Sequence, residues 1–228
     1  MTSQPSQFEI ATAIVQPVNP RVEPSHRGLY RRYGKRLLDL ALVLAAAPIV
    51  LPVIAVLATL VALDGGRPFY VQDRVGRNGR HFRLWKLRTM VVDADARMEA
   101  HLSSDPAARR EWDEKQKLHD DPRITRIGHL LRKTSLDELP QLWNVLKGDM
   151  SLVGPRPMMV AQQMLYPSNA YFTVRPGITG YWQTSDRNRT TFAARAKFDG
   201  AYVADLSLPT DIAVLLRTVS VVIRGTGC

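Results

Sequence analysis

Between Leu40 and Leu63 the chain carries 24 residues without a charge, LALVLAAAPIVLPVIAVLATLVAL, and no other stretch is apolar for so long. At about 1.5 Å of rise per residue, a helix of this length crosses a hydrocarbon core of about 30 Å. Pro48 and Pro52 stand at its middle. Each removes a backbone donor and crowds the preceding turn, which predicts a break or a sharp bend. Cations flank both ends: Arg27, Arg31, Arg32, Lys35 and Arg36 precede the run, and Arg67, Arg74, Arg77, Arg80, Arg83, Lys86 and Arg88 follow it. Both flanks therefore prefer the cytoplasmic side. A helix, break, helix that enters the inner leaflet and returns satisfies both observations, with its break at Pro48 and Pro52. A bent spanning helix and a buried core helix remain open as alternatives.

Beyond the apolar run the pattern changes to alternation. YVQDRVGRNGRHFRLWKLRTM predicts a β-hairpin with strands Tyr70 to Val75 and Phe82 to Leu87. Asn78-Gly79 is its turn, since both turn residues need positive φ. From Asp93 to Leu118 the pattern predicts two charged, solvated helices separated at Ser104-Asp105-Pro106, with Asp105 as cap and Pro106 in the first turn. Asp120-Asp121-Pro122 reads as a turn, more than as a pair of metal ligands. A further helix is expected to start at Asp137 or Glu138, to bury Leu139, Leu142, Trp143 and Leu146, and to stop near Gly148. Pro209 to Ile223 is apolar but short for a span, and suits a core helix slightly better than one lying at the membrane interface. Residues 1–28, with Pro5, Pro17, Pro20 and Pro24 among Ser and Gln, read as a flexible lead-in, and no removable signal sequence is evident. The expected organisation is a flexible segment 1–28, a membrane helix-break-helix 29–66, and a cytoplasmic globular domain 67–228. The expected fold class is α+β and helix-rich, with a membrane-associated helix and a β-hairpin.

Charge narrows the partners. There are 31 Lys and Arg against 21 Asp and Glu, a net charge of +10 and a pI near 10.1. Such an excess fits nucleic acid, anionic lipid or phosphorylated small molecules. Neither a helix-turn-helix pattern nor an aromatic-rich basic sheet motif supports nucleic acid. The lone cysteine, Cys228, excludes disulfides and cysteine-rich zinc sites, and the five histidines lack metal-ligand spacing. No GxxxxGK[ST] phosphate loop occurs.

One stretch combines acids with cations. In TSLDELPQLWNVLKGD the adjacent Asp137 and Glu138 precede Pro140, at what is expected to be the positive end of a helix, where the ionised form is favoured. An ordinary helix cap looks the same. Arg132 and Lys133 lie just before the acids, however, and Gly154-Pro155-Arg156-Pro157 fixes an arginine in a stiff turn after the helix. Arginine's planar fork matches phosphate oxygens, and a carboxylate among guanidinium groups is suited to phosphoryl transfer as a nucleophile.

The succession KRLLDL, the proline-broken run, RVGRNGRHFRLWKLRTM, DDPRITRIGHLLRKTSLDELPQLWNVLKGDMSLVGPRP and RPGITGYWQ closely resembles the bacterial sugar transferase family. These are monotopic phosphoglycosyl transferases. The resemblance covers about Tyr33 to the C-terminus and is nearest to the ExoY-type, exopolysaccharide-initiating undecaprenyl-phosphate galactosyl-phosphate transferases. It implies a monotopic topology with a re-entrant membrane helix on the cytoplasmic face of the inner membrane, a catalytic role for 67–228 and interfacial helices. It further implies that Asp137 attacks the β-phosphorus of a UDP-sugar, UDP-galactose or UDP-glucose, releasing UMP and leaving a sugar-phosphoryl aspartate. Polyprenyl phosphate then takes the sugar phosphate. Glu138 would help deprotonate the lipid phosphate or organise Mg²⁺, with Asp137 and Glu138 as the metal's carboxylates. Lys86, Arg132 and Arg156 match basic positions of the family's motifs and would hold phosphates, with Arg88, Arg175 and Arg187 as weaker candidates. Implied partners are the UDP-sugar, polyprenyl phosphate, anionic membrane lipids and downstream glycosyltransferases, with homodimerisation left open. A non-catalytic membrane-surface component of a polysaccharide assembly complex is the alternative. The chain departs from the family pattern at Ala47, where Ser usually precedes the proline, and at Asp186 and Arg189 in the loop after RPGITG.

Overall fold

The computed structural model describes residues 28–115, 118–185 and 192–223. The expected flexible segment, apart from Gly28, and Arg187, Asp186, Arg189 and Cys228 lie outside the described residues. A π-helical turn Tyr30–Gly34 leads into α1, Lys35–Leu63. The hairpin follows as β1, Phe69–Val75, and β2, His81–Leu87. Two short helices come next, α2, Ala94–Ser104, and α3, Pro106–Lys115. Then come α4, Arg126–Thr134, and α5, Gln141–Lys147. Strands β3, Ser151–Val153, β4, Met158–Met159, and β5, Gly177–Thr179, precede α6, Arg195–Asp205, and α7, Leu208–Ile223. The result is helix-rich α+β, with a three-stranded antiparallel sheet in the order β2-β1-β4 and a parallel pair β3-β5.

The hairpin forms as its alternation predicts. Phe69 pairs with Leu87 and Val75 with His81. At the turn, Asn78 has φ 60° and Gly79 φ 74°, the left-handed geometry that Asn-Gly tolerates. Asp105 accepts from the backbone N–H groups of Ala107 and Ala108, as a cap should. The two charged helices still enclose a small core of Met98, Leu102, Ala108 and Leu118, so they are not solvated all round. Asp121 makes the expected turn and holds Arg123 at 2.7 Å.

Three expectations are corrected. The helix continues through Pro48 and Pro52 without interruption, so the break expected there is not present. The prolines are one turn apart and withdraw only the hydrogen bonds to the carbonyls of Leu44 and Pro48, while the bonds of neighbouring turns remain available to carry the helix on. Secondly, α5 starts at Gln141, and the two acids lie one turn earlier, in a 3-10 turn Leu136–Glu138. Ser135, with φ 57°, ends α4 in a left-handed step, so the chain reverses before the acids instead of capping α5 with them. Thirdly, α5 buries Gln141, Asn144 and Val145, whereas Trp143 is 55 % exposed. The stripe Leu139, Leu142, Trp143 and Leu146 exists, but it lines a cavity beneath α1.

Both ends of α1 are fastened to the same body. At its start, Arg36 donates to the carbonyls of Val145 and Leu146, and Asp39 accepts from Ser151 Oγ and the Leu152 N–H, each at 3.0 Å. Lys35 makes a buried ion pair with Asp211 of α7 at 2.7 Å. At its far end, Val61 packs with Leu87 and Leu131, and its carbonyl accepts from Arg88 Nη2 at 2.9 Å. The middle stands clear, with Leu44, Ile49, Leu51 and Val56 all exposed. α7 divides its sides: Asp211 and Val214 are buried, while Leu208, Ile212, Leu216 and Val219 are exposed. Its inner side thus meets the core expectation, and its outer side is the apolar face that an interfacial helix presents.

Candidate active site

The acids gather around the end of β2. Lys86 Nζ donates to Glu138 Oε1 at 2.7 Å and lies 3.7 Å from Asp137 Oδ2. Arg156 reaches Glu138 Oε1 at 3.9 Å, with its guanidinium 5.9 Å from the centre of the Trp182 ring. Its turn is held from both sides, since the Gly154 N–H donates to Thr179 O and the Gly177 N–H to Pro155 O, each at 2.8 Å. A side chain on Gly154 would lie 2.5 Å from Arg175 O, so only glycine lets the two segments approach this closely. Asn144, fully buried on α5, accepts from the Trp85 N–H and donates to Arg83 O, which fixes the helix following the dyad against the strand that carries Lys86.

Asp137 is 8 % exposed. Burial pushes its carboxyl above the usual aspartate range; Lys86 and Arg132 oppose this, and the adjacent Glu138 adds to it. The acids precede α5 by a turn, so the nearby cations, opposing burial, are what favour the ionised form of Asp137. Once ionised, a poorly hydrated carboxylate held by fixed cations is well suited to attack phosphorus.

The sequence-derived basic residues separate into two groups. Lys86 and Arg156 contact the dyad directly. Arg132 lies within the field of Asp137, its Nε donating to Thr89 Oγ1 at 2.9 Å. Arg88 is elsewhere, bonded to Val61 O at the end of α1. Arg175 donates to Gly148 O at 2.8 Å and has Arg77 and Arg36 as its nearby cations. A cation absent from the sequence-derived set takes their place: Arg74 of β1 lines a small polar cavity with Lys86, Glu138, Gln141 and Arg156. Burial and then Arg156 push its guanidinium down to about 10. The hairpin register contained this signal, because Tyr70, Gln72 and Arg74 pair with Lys86, Leu84 and Phe82, which puts Arg74 and Lys86 on one face.

Two larger cavities meet the dyad's segment. One, of about 320 Å³, is apolar and lies between Val43, Ala47, Val50 and Ile54 of α1 and Leu139, Pro140 and Trp143. The other, of about 240 Å³, opens beside Glu138 and Arg156 and runs towards Gln183 and α7. Among the described residues no group of three His, Cys, Asp or Glu side chains is arranged to hold a metal. Mg²⁺ commonly uses only one or two carboxylates and completes its shell with water and substrate phosphates, a minimum that Asp137 and Glu138 meet.

The family described as bacterial sugar transferase matches residues 30–225. The chain is 50 % identical over 198 residues to the UDP-galactose-lipid carrier transferase of Erwinia amylovora, which covers 86 % of this chain and 42 % of that protein. It is 44 % identical over 198 residues to the undecaprenyl-phosphate galactose phosphotransferase of Salmonella typhimurium, again 86 % of this chain and 42 % of the relative. The chain thus spans less than half the length of these two relatives. Against the exopolysaccharide production protein ExoY of Sinorhizobium fredii, identity is 41 % over 210 residues, 90 % of this chain and 93 % of the relative. With a match across nearly the whole sequence, the chain belongs to the bacterial sugar transferase family.

Proposed function

We propose that this chain transfers a sugar 1-phosphate from UDP-galactose or UDP-glucose to polyprenyl phosphate in the first membrane step of exopolysaccharide synthesis. The observation that carries the proposal is a juxtaposition. The buried Asp137, among Lys86, Arg132 and Arg156, lies two residues before Leu139-Pro140, which wall the apolar cavity beneath α1. A lipid phosphate needs such an arrangement, with its chain in the apolar cavity and its phosphate at the cations. Two relatives, a UDP-galactose-lipid carrier transferase and an undecaprenyl-phosphate galactose phosphotransferase, support the same donor and acceptor.

In this reaction Asp137 attacks the β-phosphorus, the bond to the α-phosphate oxygen breaks, and UMP departs with that oxygen. An oxygen of polyprenyl phosphate then attacks the same phosphorus and frees the aspartate. Lys86, Arg156 and Arg74 neutralise the diphosphate. Glu138 receives the acceptor's proton. Bound Mg²⁺, held by the carboxylates of Asp137 and Glu138, would neutralise further phosphate charge.

The fastening of α1 supports a placement in which this continuous helix does not cross the membrane and keeps both ends on the cytoplasmic face. A helix that crosses a core of about 30 Å puts its ends on opposite sides of the membrane. One body that grips Lys35 and Arg36 at one end and Val61 at the other keeps both ends on one side. The exposed middle of α1 and the outer face of α7 then meet lipid.

Purified protein in detergent, given UDP-galactose and polyprenyl phosphate, is expected to release UMP and to show a hexose-phosphate adduct on the peptide containing Asp137 by mass spectrometry. Asp137→Asn is expected to lose both, and substantial residual turnover by that variant would refute the nucleophile assignment.

A further inference from the structure

Gln183 is 6 % exposed, and neither its Nε2 nor its Oε1 has a hydrogen-bond partner among the described residues. An amide buried in this state leaves its NH2 and its carbonyl oxygen unsatisfied side by side, which folding alone does not favour. The side chain lines the cavity of about 240 Å³ that opens beside Glu138 and Arg156. Its position is rigid: Gln183 follows β5 in a turn closed by the Thr184 N–H and Oγ1, both donating to Gly180 O, and by Ser185 Oγ donating to Trp182 O. The rest of the wall is mostly apolar, with Leu136, Leu139, Leu142 and Ile178 close by and Thr179 and Thr218 adding hydroxyls.

A flat ring with apolar faces and a polar edge fits such a cavity. Uracil presents a carbonyl oxygen next to an N–H along one edge, and a carboxamide pairs with that edge through its own N–H and carbonyl. We infer that this cavity is the nucleobase subsite and that Gln183 recognises the uracil edge of the donor, with the Glu138–Arg156 mouth directing the diphosphate towards Asp137. The inference rests on the proposed use of a UDP-sugar and adds where and how its base is held. Gln183 is a binding residue and touches no reacting atom. A hexose would also satisfy an amide, but it carries hydroxyls around its whole ring and would leave several of them against leucine walls.

The test uses the full chain in detergent and UMP as the probe, so that binding is measured apart from turnover. Wild type is expected to bind UMP by calorimetry and to bind N3-methyl-UMP, which lacks the N–H, at least about tenfold more weakly. Gln183→Leu is expected to weaken UMP binding and raise the KM for UDP-galactose by a similar factor, to remove the preference for UMP over its N3-methyl analogue, and to leave the KM for polyprenyl phosphate unchanged. Gln183→Glu keeps an acceptor for the N–H but opposes the uracil carbonyl, so it should also bind UMP less well. Equal affinity of wild type for the two nucleotides would overturn the inference. So would Gln183→Leu with unchanged UMP binding and an altered preference between UDP-galactose and UDP-glucose, which would mark the cavity as the sugar's. Turnover of UDP-galactose with either of these results leaves the proposed reaction standing and removes only the subsite. A wild-type chain that neither binds UMP nor releases it removes both.

Discussion

Asp211 is 1 % exposed and acts as the fastening point between α7 and the start of α1. Its Oδ2 accepts from Lys35 Nζ at 2.7 Å and from the Tyr30 hydroxyl at 2.5 Å, and its Oδ1 from the Tyr202 hydroxyl at 2.8 Å. Asp211→Ala would leave a mostly buried ammonium without this partner. Removing one member of a buried ion pair typically costs about 3–5 kcal/mol. Two features reduce that figure here: Lys35 is still 11 % exposed at its side chain, with Asp39 in its field, and Tyr202 keeps a second acceptor in Val153 O. About 3 kcal/mol is therefore the expected loss. For a chain of this size each kcal/mol moves Tm by about 2–4 °C, which gives a fall of about 6–12 °C.

Thermal unfolding in one fixed detergent measures this directly. Asp211→Asn, which keeps one acceptor oxygen for a tyrosine hydroxyl but loses the charge, should fall between wild type and Asp211→Ala. The pair Lys35→Met with Asp211→Leu should recover most of the loss, because a buried ion pair replaced by apolar groups of similar size is often neutral or better. A Tm for Asp211→Ala within about 2 °C of wild type would refute the assignment of a buried, energetically coupled pair. A double variant no better than the worse single one would show that the loss is of packing and not of charge pairing.

Lys86→Ala removes the largest influence opposing the raised pKa of Asp137, so the acid limb of the kcat/KM profile should move to higher pH, and an unmoved limb would refute the contact. Arg88→Ala should lower Tm with the KM for UDP-galactose unchanged, because Arg88 holds the Val61 carbonyl and not the donor; a raised KM at constant Tm would return it to the phosphate site. Asp137→Asn should raise Tm at neutral pH while abolishing turnover. The sign follows from the raised folded pKa: relative to the ionised chain, the folded state's advantage is full below the ordinary aspartate pKa and is lost as pH rises through the folded value. The gain should therefore shrink in acid, and a gain independent of pH would refute its origin in Asp137.

The sequence's legibility followed the range of the forces involved. The hairpin needs only its own alternation and Asn78-Gly79, and the Asp105 cap only the two following N–H groups, so both were readable locally. The acids were readable as chemistry through their neighbours Arg132 and Pro140, but their backbone was not. Whether Asp137 sits in a helix's first turn or in the 3-10 turn before it depends on the left-handed step at Ser135, a residue with no glycine-like signal. The stripe Leu139, Leu142, Trp143 and Leu146 was also found, and its direction was not. Periodicity shows that one face is apolar without showing whether protein or lipid covers it, and here α5 turns Gln141 and Asn144 to the interior, where Asn144 bonds the backbone of β2. Arg74 was missed as a site residue for a similar reason: among so many cations only the strand register singles it out.

The placement of the dyad explains why two chemically opposite ligands could share one carboxylate. Asp137 and Glu138 belong to a cluster of cations, and the next two residues, Leu139 and Pro140, already belong to the apolar cavity under α1. Leu139 also borders the cavity that holds Gln183. Within four residues the chain therefore passes from a surface suited to phosphates to one suited to a lipid tail. A seven-residue helix rigidly docked through Asn144 keeps that boundary in place. Fastening α1 at both ends fixes the other wall, so Lys35, Asp39 and Asp211, remote from the acids in sequence, position the wall of the apolar cavity proposed for the lipid. In the proposed reaction the nucleotide approaches from the Arg156 side and the acceptor from beneath α1, and both meet the same phosphorus at Asp137, because among the described residues no other charged group on that boundary is as deeply buried.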